Sequence, residues 1–339
     1  MGNKLCMPIR DLKGGFGGCR TKKEKRLSSS SQRKLVPRQK ETDHLSHRFE
    51  SFIINRIVSR PRPRRSLSEP PPIRKQAPIA MEKLETKKVV LVHGEGFGAW
   101  CWYKIVPLLE EAGMLPIALD LAGSGANNRT DINAMTGLED YADPLTNYLG
   151  SLADHEKVIL VGHSCGGAVI SFAMERFPER ISKAIFVSAT MVTKGQSPFD
   201  LFVEQLGSAE HFLQESQNLE YGNGREKPPT NLRLEKEQIR ALYFNRCPTK
   251  DIALAALSMG AVPLRPMMDK LVLTPENYGS VRRFFIQTMD NNIFRPQIQD
   301  EIVRKNPPHG VYRIKGSDHS PFLSKPRSLN KILLEIAQL

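Results

Sequence analysis

The sequence predicts an α/β fold: a mostly parallel central sheet with helices on both faces and a helical lid. Three observations predict it. Short apolar runs such as Lys88 to Val92 and Val158 to Val161 have the length and continuity of strands buried on both faces. Helical stretches alternate with them, which is the pattern of a parallel sheet covered on both sides. From about residue 190 to 278 the alternation stops and helical patterns dominate, so a helical insertion is expected there as a lid.

Residues 1–80 form a basic leader. They hold 20 Lys/Arg against 6 Asp/Glu, while residues 81–339 hold 29 against 30. The net charge of +13 therefore belongs to the leader. A basic tail on a neutral domain points to targeting or surface attachment and away from a domain that reads nucleic acid. Gly14 to Gly18, Ser28 to Ser31, the Arg-Pro alternation from Arg60 to Arg65 and Pro70 to Pro72 offer little apolar surface to offset ordering entropy, so the leader is expected to be disordered. Two addresses are legible in it. A Ser- and Arg-rich, acid-poor extension fits an organelle transit peptide. Met1-Gly2-Asn3-Lys4-Leu5-Cys6 fits lipidation at Gly2 and Cys6 with membrane contact, although the myristoylation pattern asks for Ser or Thr where Cys6 stands.

The folded domain is expected over residues 87–339. Lys88 to Val92 is its first strand and runs into the glycine-rich turn His93-Gly94-Glu95-Gly96-Phe97-Gly98. Trp102 to Ala112 reads as a helix, Leu115 to Leu119 as a strand and Leu138 to Leu152 as a helix. The strand from Val158 leads to Ser164, and Ala168 to Phe177 follows as a helix stopped by Pro178. Lys183 to Ser188, Arg283 to Thr288 and Val311 to Lys315 are further strands. Leu232 to Phe244 and Lys250 to Met259 are helical stretches of the lid, and Leu329 to Leu339 closes the chain.

Gly162-His163-Ser164-Cys165-Gly166 fits G-x-S-x-G between a strand and a helix. That context turns a serine pattern into a nucleophile elbow, which lifts Ser164 to the carboxyl end of the sheet. The earlier glycine turn spaces Gly94, Gly96 and Gly98 wrongly for a dinucleotide fingerprint. It suits an oxyanion hole instead, with the backbone N–H groups of Glu95 and Cys165 as donors. His93 reads as a structural histidine of this turn. The general base must come late in the chain, and His319 in Lys315-Gly-Ser-Asp-His-Ser-Pro321 leaves the last strand at the right edge. The acid is expected after the strand ending at Thr288, where Asp290 is the only carboxylate of the loop. Five cysteines without metal-ligand spacing predict free thiols in a reducing compartment. No cofactor and no metal is expected.

Val92-His-Gly94, Trp100-Cys-Trp-Tyr103, Leu119-Asp-Leu-Ala-Gly-Ser-Gly125, Val158 to Ser164, Tyr278 to Arg283 and Lys315 to His319, taken in order, resemble the plant methylesterase family. Its members share the α/β-hydrolase fold with the hydroxynitrile lyases. The resemblance spans residues 87–339. The long N-terminal extension and Phe97 resemble the subgroup described as chloroplast methylesterases. The resemblance implies hydrolysis of methyl esters of small plant acids, of the kind formed by indole-3-acetate, jasmonate or salicylate. It implies Ser164 as nucleophile and His319 as base, with a small apolar ester as the bound partner. Gly94 and Ser320 depart from the cyanohydrin-cleaving pattern, which has Thr and Lys there. A gapless count from Ser280 puts the family's acid at Asn291, one residue past Asp290. Asp290 stays the expected acid, because a buried imidazolium asks for a negative partner. If Asn291 holds the place, a weak or inactive hydrolase that binds a small ligand becomes the alternative.

Overall fold

The computed structural model describes residues 84–126, 129–206 and 219–339. The basic leader, with Gly2 and Cys6, lies outside the described residues.

The strands in chain order are β1 (Lys88–Val92), β2 (Leu115–Leu119), β3 (Val158–His163), β4 (Ile181–Val187), β5 (Leu219–Glu220), β6 (Asn231–Leu232), β7 (Val262–Pro263), β8 (Arg282–Thr288) and β9 (Gly310–Ile314). Six of them form one parallel sheet in the order β2-β1-β3-β4-β8-β9. Side chains alternate across it, as strand geometry requires. Val90, Leu160, Phe186 and Phe285 point to one core. Val89, Leu91, Ile159, Val161, Ile185 and Ile286 point to the other.

The helices are α1 (Ile105–Glu111), α2 (Leu138–Gly150), α3 (Gly166–Arg176), α4 (Pro198–Leu206), α5 (Lys236–Tyr243), α6 (Thr249–Ser258), α7 (Leu264–Met268), α8 (Pro296–Lys305), α9 (Pro321–Ser324) and α10 (Pro326–Gln338). α2, α3 and α8 supply Leu145, Ile170 and Ile302 to the first core. α1 and α10 supply Leu109 and Leu333 to the second. The chain leaves β1 for β2 on one side and returns to β3 on the other, so the order reverses between β1 and β3. A crevice opens at the carboxyl ends of strands at such a switch point. Both glycine turns emerge there.

The expected elements form with small shifts. α1 begins at Ile105 and not at Trp102, because Ala99–Trp102 winds into a 3-10 turn whose Ala99 N–H donates to the Asp120 carboxylate at 2.6 Å. Inside the insertion, the stretch from Leu232 splits. Asn231–Leu232 pairs with β5 and β7 in a small antiparallel sheet. Helix α5 starts only at Lys236, where Glu235 and Gln238 form a capping box. Helix α8 was not among the expected elements. Pro296 opens it at a first-turn position, where the missing N–H is no loss.

Candidate active site

The backbone builds the elbow first. Ser164 has φ +48°, the left-handed conformation that a non-glycine residue rarely adopts. Its neighbours explain how the strain is held. A Cβ on Gly166 would lie 2.5 Å from the His93 carbonyl oxygen, and one on Gly162 would lie 2.7 Å from the Gly166 carbonyl oxygen. A Cβ on Gly94 would lie 2.8 Å from the Ser164 Cβ. The two turns interlock so closely that only glycine fits at these three positions. Ser164 N–H donates to the Val187 carbonyl, and Thr190 N–H and Oγ donate to the Ser164 carbonyl.

His93 is structural, as expected. Leu121 N–H donates to His93 Nε2 at 3.0 Å, so the proton sits on Nδ1 and is given to the Gly94 carbonyl at 2.8 Å. Burial pushes its pKa down to about 4. His163 is buried as well, with its pKa pushed down to about 3. It donates from Nε2 to the His319 carbonyl at 2.8 Å and so fixes the backbone of that residue.

His319 lies where the sequence places the base. Its Nε2 is 2.9 Å from Ser164 Oγ. Both residues are fully buried. Burial, with neighbouring His163 adding to it, holds the His319 pKa well below the ordinary histidine value.

The expected acid requires a correction. Asp290 does not face His319. Its N–H is tied to the Ser317 carbonyl, which turns the side chain outward into an ion pair with Arg246 Nε at 2.8 Å. The next residue, Asn291, turns inward and places Nδ2 3.1 Å from His319 Nδ1. The loop is fixed around it. Ile293 and Phe294 N–H groups donate to Asn291 Oδ1 at 2.8 and 2.9 Å. Gln299, buried on α8, accepts from Thr288 N–H and donates to the Thr288 and Phe294 carbonyls.

These bonds decide the histidine tautomer. Asn291 Oδ1 is held by two backbone donors, so its Nδ2 must face Thr288 Oγ1 and His319 Nδ1. An amide N–H donor requires an acceptor. Nδ1 of His319 therefore carries no proton, and Nε2–H donates to Ser164 Oγ.

The oxyanion hole also differs from expectation. Cys165 N–H points into the site, but Glu95 Oε2 occupies it at 3.1 Å. The role expected of Glu95 was its backbone N–H; its side chain has entered the site. Ser164 Oγ donates to Glu95 Oε1 at 3.0 Å, and Tyr243 Oη of α5 donates to the same oxygen at 2.9 Å. Glu95 is buried, 5% exposed, so these three donors stand in for water at its carboxylate. Sequence reasoning missed this group. Its signal was a carboxylate in a turn of glycines directly after a buried strand.

Glu95 and Cys165 form part of the wall of a cavity of about 330 Å³. The rest is largely apolar, from Phe199, Leu232, Val262, Leu264 and Met267 of the insertion and Ile293 of the loop after β8. No cluster of three or more His, Cys, Asp or Glu arranged for a metal ion occurs among the described residues. No helix among them is long and apolar enough to cross a membrane.

Residues 89–332 match the model of the alpha/beta hydrolase family. Two relatives from Arabidopsis thaliana are "Putative methylesterase 14, chloroplastic", 58% identical over 87% of this chain and 84% of that one, and "Putative methylesterase 12, chloroplastic", 51% identical over the whole of both. A methyl jasmonate esterase of Vitis vinifera is 38% identical over 76% of this chain and 99% of its own. Among solved structures, an Arabidopsis methylesterase superposes with a TM-score of 0.66 at 36% identity, covering 74% of this chain and 98% of the other. Tomato methylketone synthase I, complexed with 2-tridecanone, superposes with a TM-score of 0.66 at 36% identity, covering 75% and 98%.

Proposed function

The chain belongs to the alpha/beta hydrolase family and is a serine carboxylesterase of the methylesterase type; on that premise we propose that it cleaves methyl esters of small, largely apolar plant acids through an acyl-serine on Ser164. Hormone-type esters, those of indole-3-acetate, jasmonate and salicylate, are the substrate class. The observation that carries the reading is the 2.9 Å contact between Ser164 Oγ and His319 Nε2 beside an apolar cavity of about 330 Å³. Apolar walls with a few polar groups at one end suit an acid whose body is apolar and whose reacting ester is small. The ligand in the methylketone synthase structure, 2-tridecanone, has the same polarity pattern and supports this. Ser164 attacks the ester carbonyl, methanol leaves, and water releases the acid. Cys165 N–H, at the start of α3, is the donor suited to the oxyanion once Glu95 Oε2 gives way.

The helical insertion covers the site as a lid in this reading, and the relatives' chloroplast naming supports a plastid address for the leader. The 51% relative aligns over the full length of this chain, leader included. A fluorescent fusion of residues 1–80 should enter plastids. Signal at the plasma membrane that is lost on Gly2→Ala would reverse that assignment in favour of lipidation.

Asn291 at the acid position favours a second reading, a weak hydrolase that serves as a small-ligand binding protein. One experiment separates the two. The enzyme should be labelled at Ser164 by a fluorophosphonate and release methanol from a panel of the three esters. Ligand retention without labelling or turnover would establish the second reading.

A further inference from the structure

Resting on the serine-esterase reading, we propose that Glu95 is a catalytic residue: its Oε1 takes the Ser164 proton, the task the sequence assigns to His319, and its Oε2 holds the Cys165 N–H until the substrate's carbonyl oxygen replaces it.

The directions of three hydrogen bonds carry the argument. Asn291 Nδ2–H points to His319 Nδ1, His319 Nε2–H to Ser164 Oγ, and Ser164 Oγ–H to Glu95 Oε1. Reversing the first of these would turn the Asn291 amide and strip two backbone N–H groups of their acceptor. His319 thus reaches the nucleophile as a donor, with no free lone pair on Nε2 to receive a proton. Glu95 is the acceptor at which the relay ends. Burial also makes His319 a weaker base than an ordinary histidine.

The two oxygens of Glu95 are held differently. Oε1 has Ser164 and Tyr243 as donors, and Oε2 has Cys165 N–H. Rotation of the carboxyl group about the doubly held oxygen frees Cys165 N–H for the carbonyl and keeps the base in contact with the nucleophile. As Ser164 Oγ bonds to the carbonyl carbon, its proton passes to Oε1 and the carbonyl π pair moves onto oxygen. The negative charge thereby moves from Glu95 to the oxyanion, so the two charges never oppose each other. When the carbon–methoxy bond breaks, its electron pair leaves on oxygen, and the Glu95 proton converts that oxygen to methanol. Water then repeats the cycle: its proton goes to Glu95, its oxygen bonds to the acyl carbon, and Ser164 Oγ leaves and recovers the proton. Throughout, His319 Nε2–H steadies the developing charge on Ser164 Oγ.

The rate of fluorophosphonate labelling tests this without any ester. Wild type, Glu95→Gln, Glu95→Ala, Asn291→Asp and Glu95→Gln/Asn291→Asp are compared, each checked for folding by thermal melting. Glu95→Gln should label about 100-fold more slowly or worse, the scale of one general base. Adding Asn291→Asp should restore most of the rate, because an aspartate there moves the His319 proton to Nδ1 and returns Nε2 to the role of base. Glu95→Gln or Glu95→Ala labelling as fast as wild type, or faster, would overturn the proposal and make Glu95 a plug of the oxyanion hole. Wild type that resists labelling altogether overturns it too. Labelling that follows the expected order while none of the three methyl esters is cleaved leaves Glu95 as the base and overturns only the substrate class.

Discussion

The turn after β3 and the loop after β8 both bring a residue to His319, but they are specified in different ways. The elbow is specified by backbone. Three glycines sit where a Cβ would collide, and the positive φ of Ser164 follows from their packing. The loop after β8 is specified by side chains. Asn291 is turned inward by its own amide bonding two backbone N–H groups and by Gln299 of a helix eleven residues from Thr288. The first kind of constraint leaves a mark in the sequence as glycine spacing. The second leaves only a choice between two neighbouring polar residues.

That comparison can be tested from its strong end to its weak one. Ser164→Ala should remove ester hydrolysis, on the order of 10⁴-fold or more, with an unchanged melting temperature. Turnover that survives would detach the elbow from the chemistry. Gly94→Ala should come close to it in activity and also lower stability, since its methyl would press on Ser164 and His163. A fully active, equally stable Gly94→Ala would show that the interlock is looser than the contacts require.

Asn291→Asp should raise kcat about 10- to 100-fold, part of the ~10⁴ that an amide at the acid position costs elsewhere. The buried loop already offers Thr288 and two backbone N–H groups to the new carboxylate. A neutral or harmful result would mean that the histidine tautomer does not limit the rate.

The pH dependence of stability addresses the elbow from another side. His93 and His163 are buried with pKa values near 4 and 3, against ~6.5 in the unfolded chain. The unfolded state therefore binds their protons first. Their contribution is complete above about pH 6.5 and is lost as pH falls towards 4 and then 3, by up to ~1.4 kcal/mol per pH unit for each histidine. Urea unfolding at pH 7 and pH 5 should show the loss. Equal midpoints at the two values would contradict the buried neutral state. The smallest effect is expected of Asp290→Asn. Its partner Arg246 is more than half exposed, so the pair contributes at most ~1 kcal/mol, and kcat should not change.

The parallel sheet was legible because strands buried on both faces are written as apolar runs, and the observed β1 and β2 keep the expected bounds. Ser164 and His319 were legible because chain order and loop position leave few alternatives. The electrostatic demand that points to Asp290 is met elsewhere in the chain. The site does hold a carboxylate, but it comes from Glu95, on the turn after β1 and 195 residues earlier in the chain. Helix α8 and the small β5–β6–β7 sheet escaped notice because two-residue strands and a helix opened by proline carry almost no periodicity.

The bond from Tyr243 to Glu95 joins the inserted segment to the reacting atoms. Such a bond works in both directions. If the position of α5 influences how firmly Glu95 holds its charge, then the charge on Glu95 influences the position of α5 by the same free energy. With Glu95 as the proposed base, loss of that charge at the moment Ser164 attacks weakens the bond from Tyr243 of α5. The charge returns when the proton passes to methanol, so the loosening lasts only from the attack of Ser164 to the departure of methanol, and the proposed proton transfer is tied to a movement of α5 at that step.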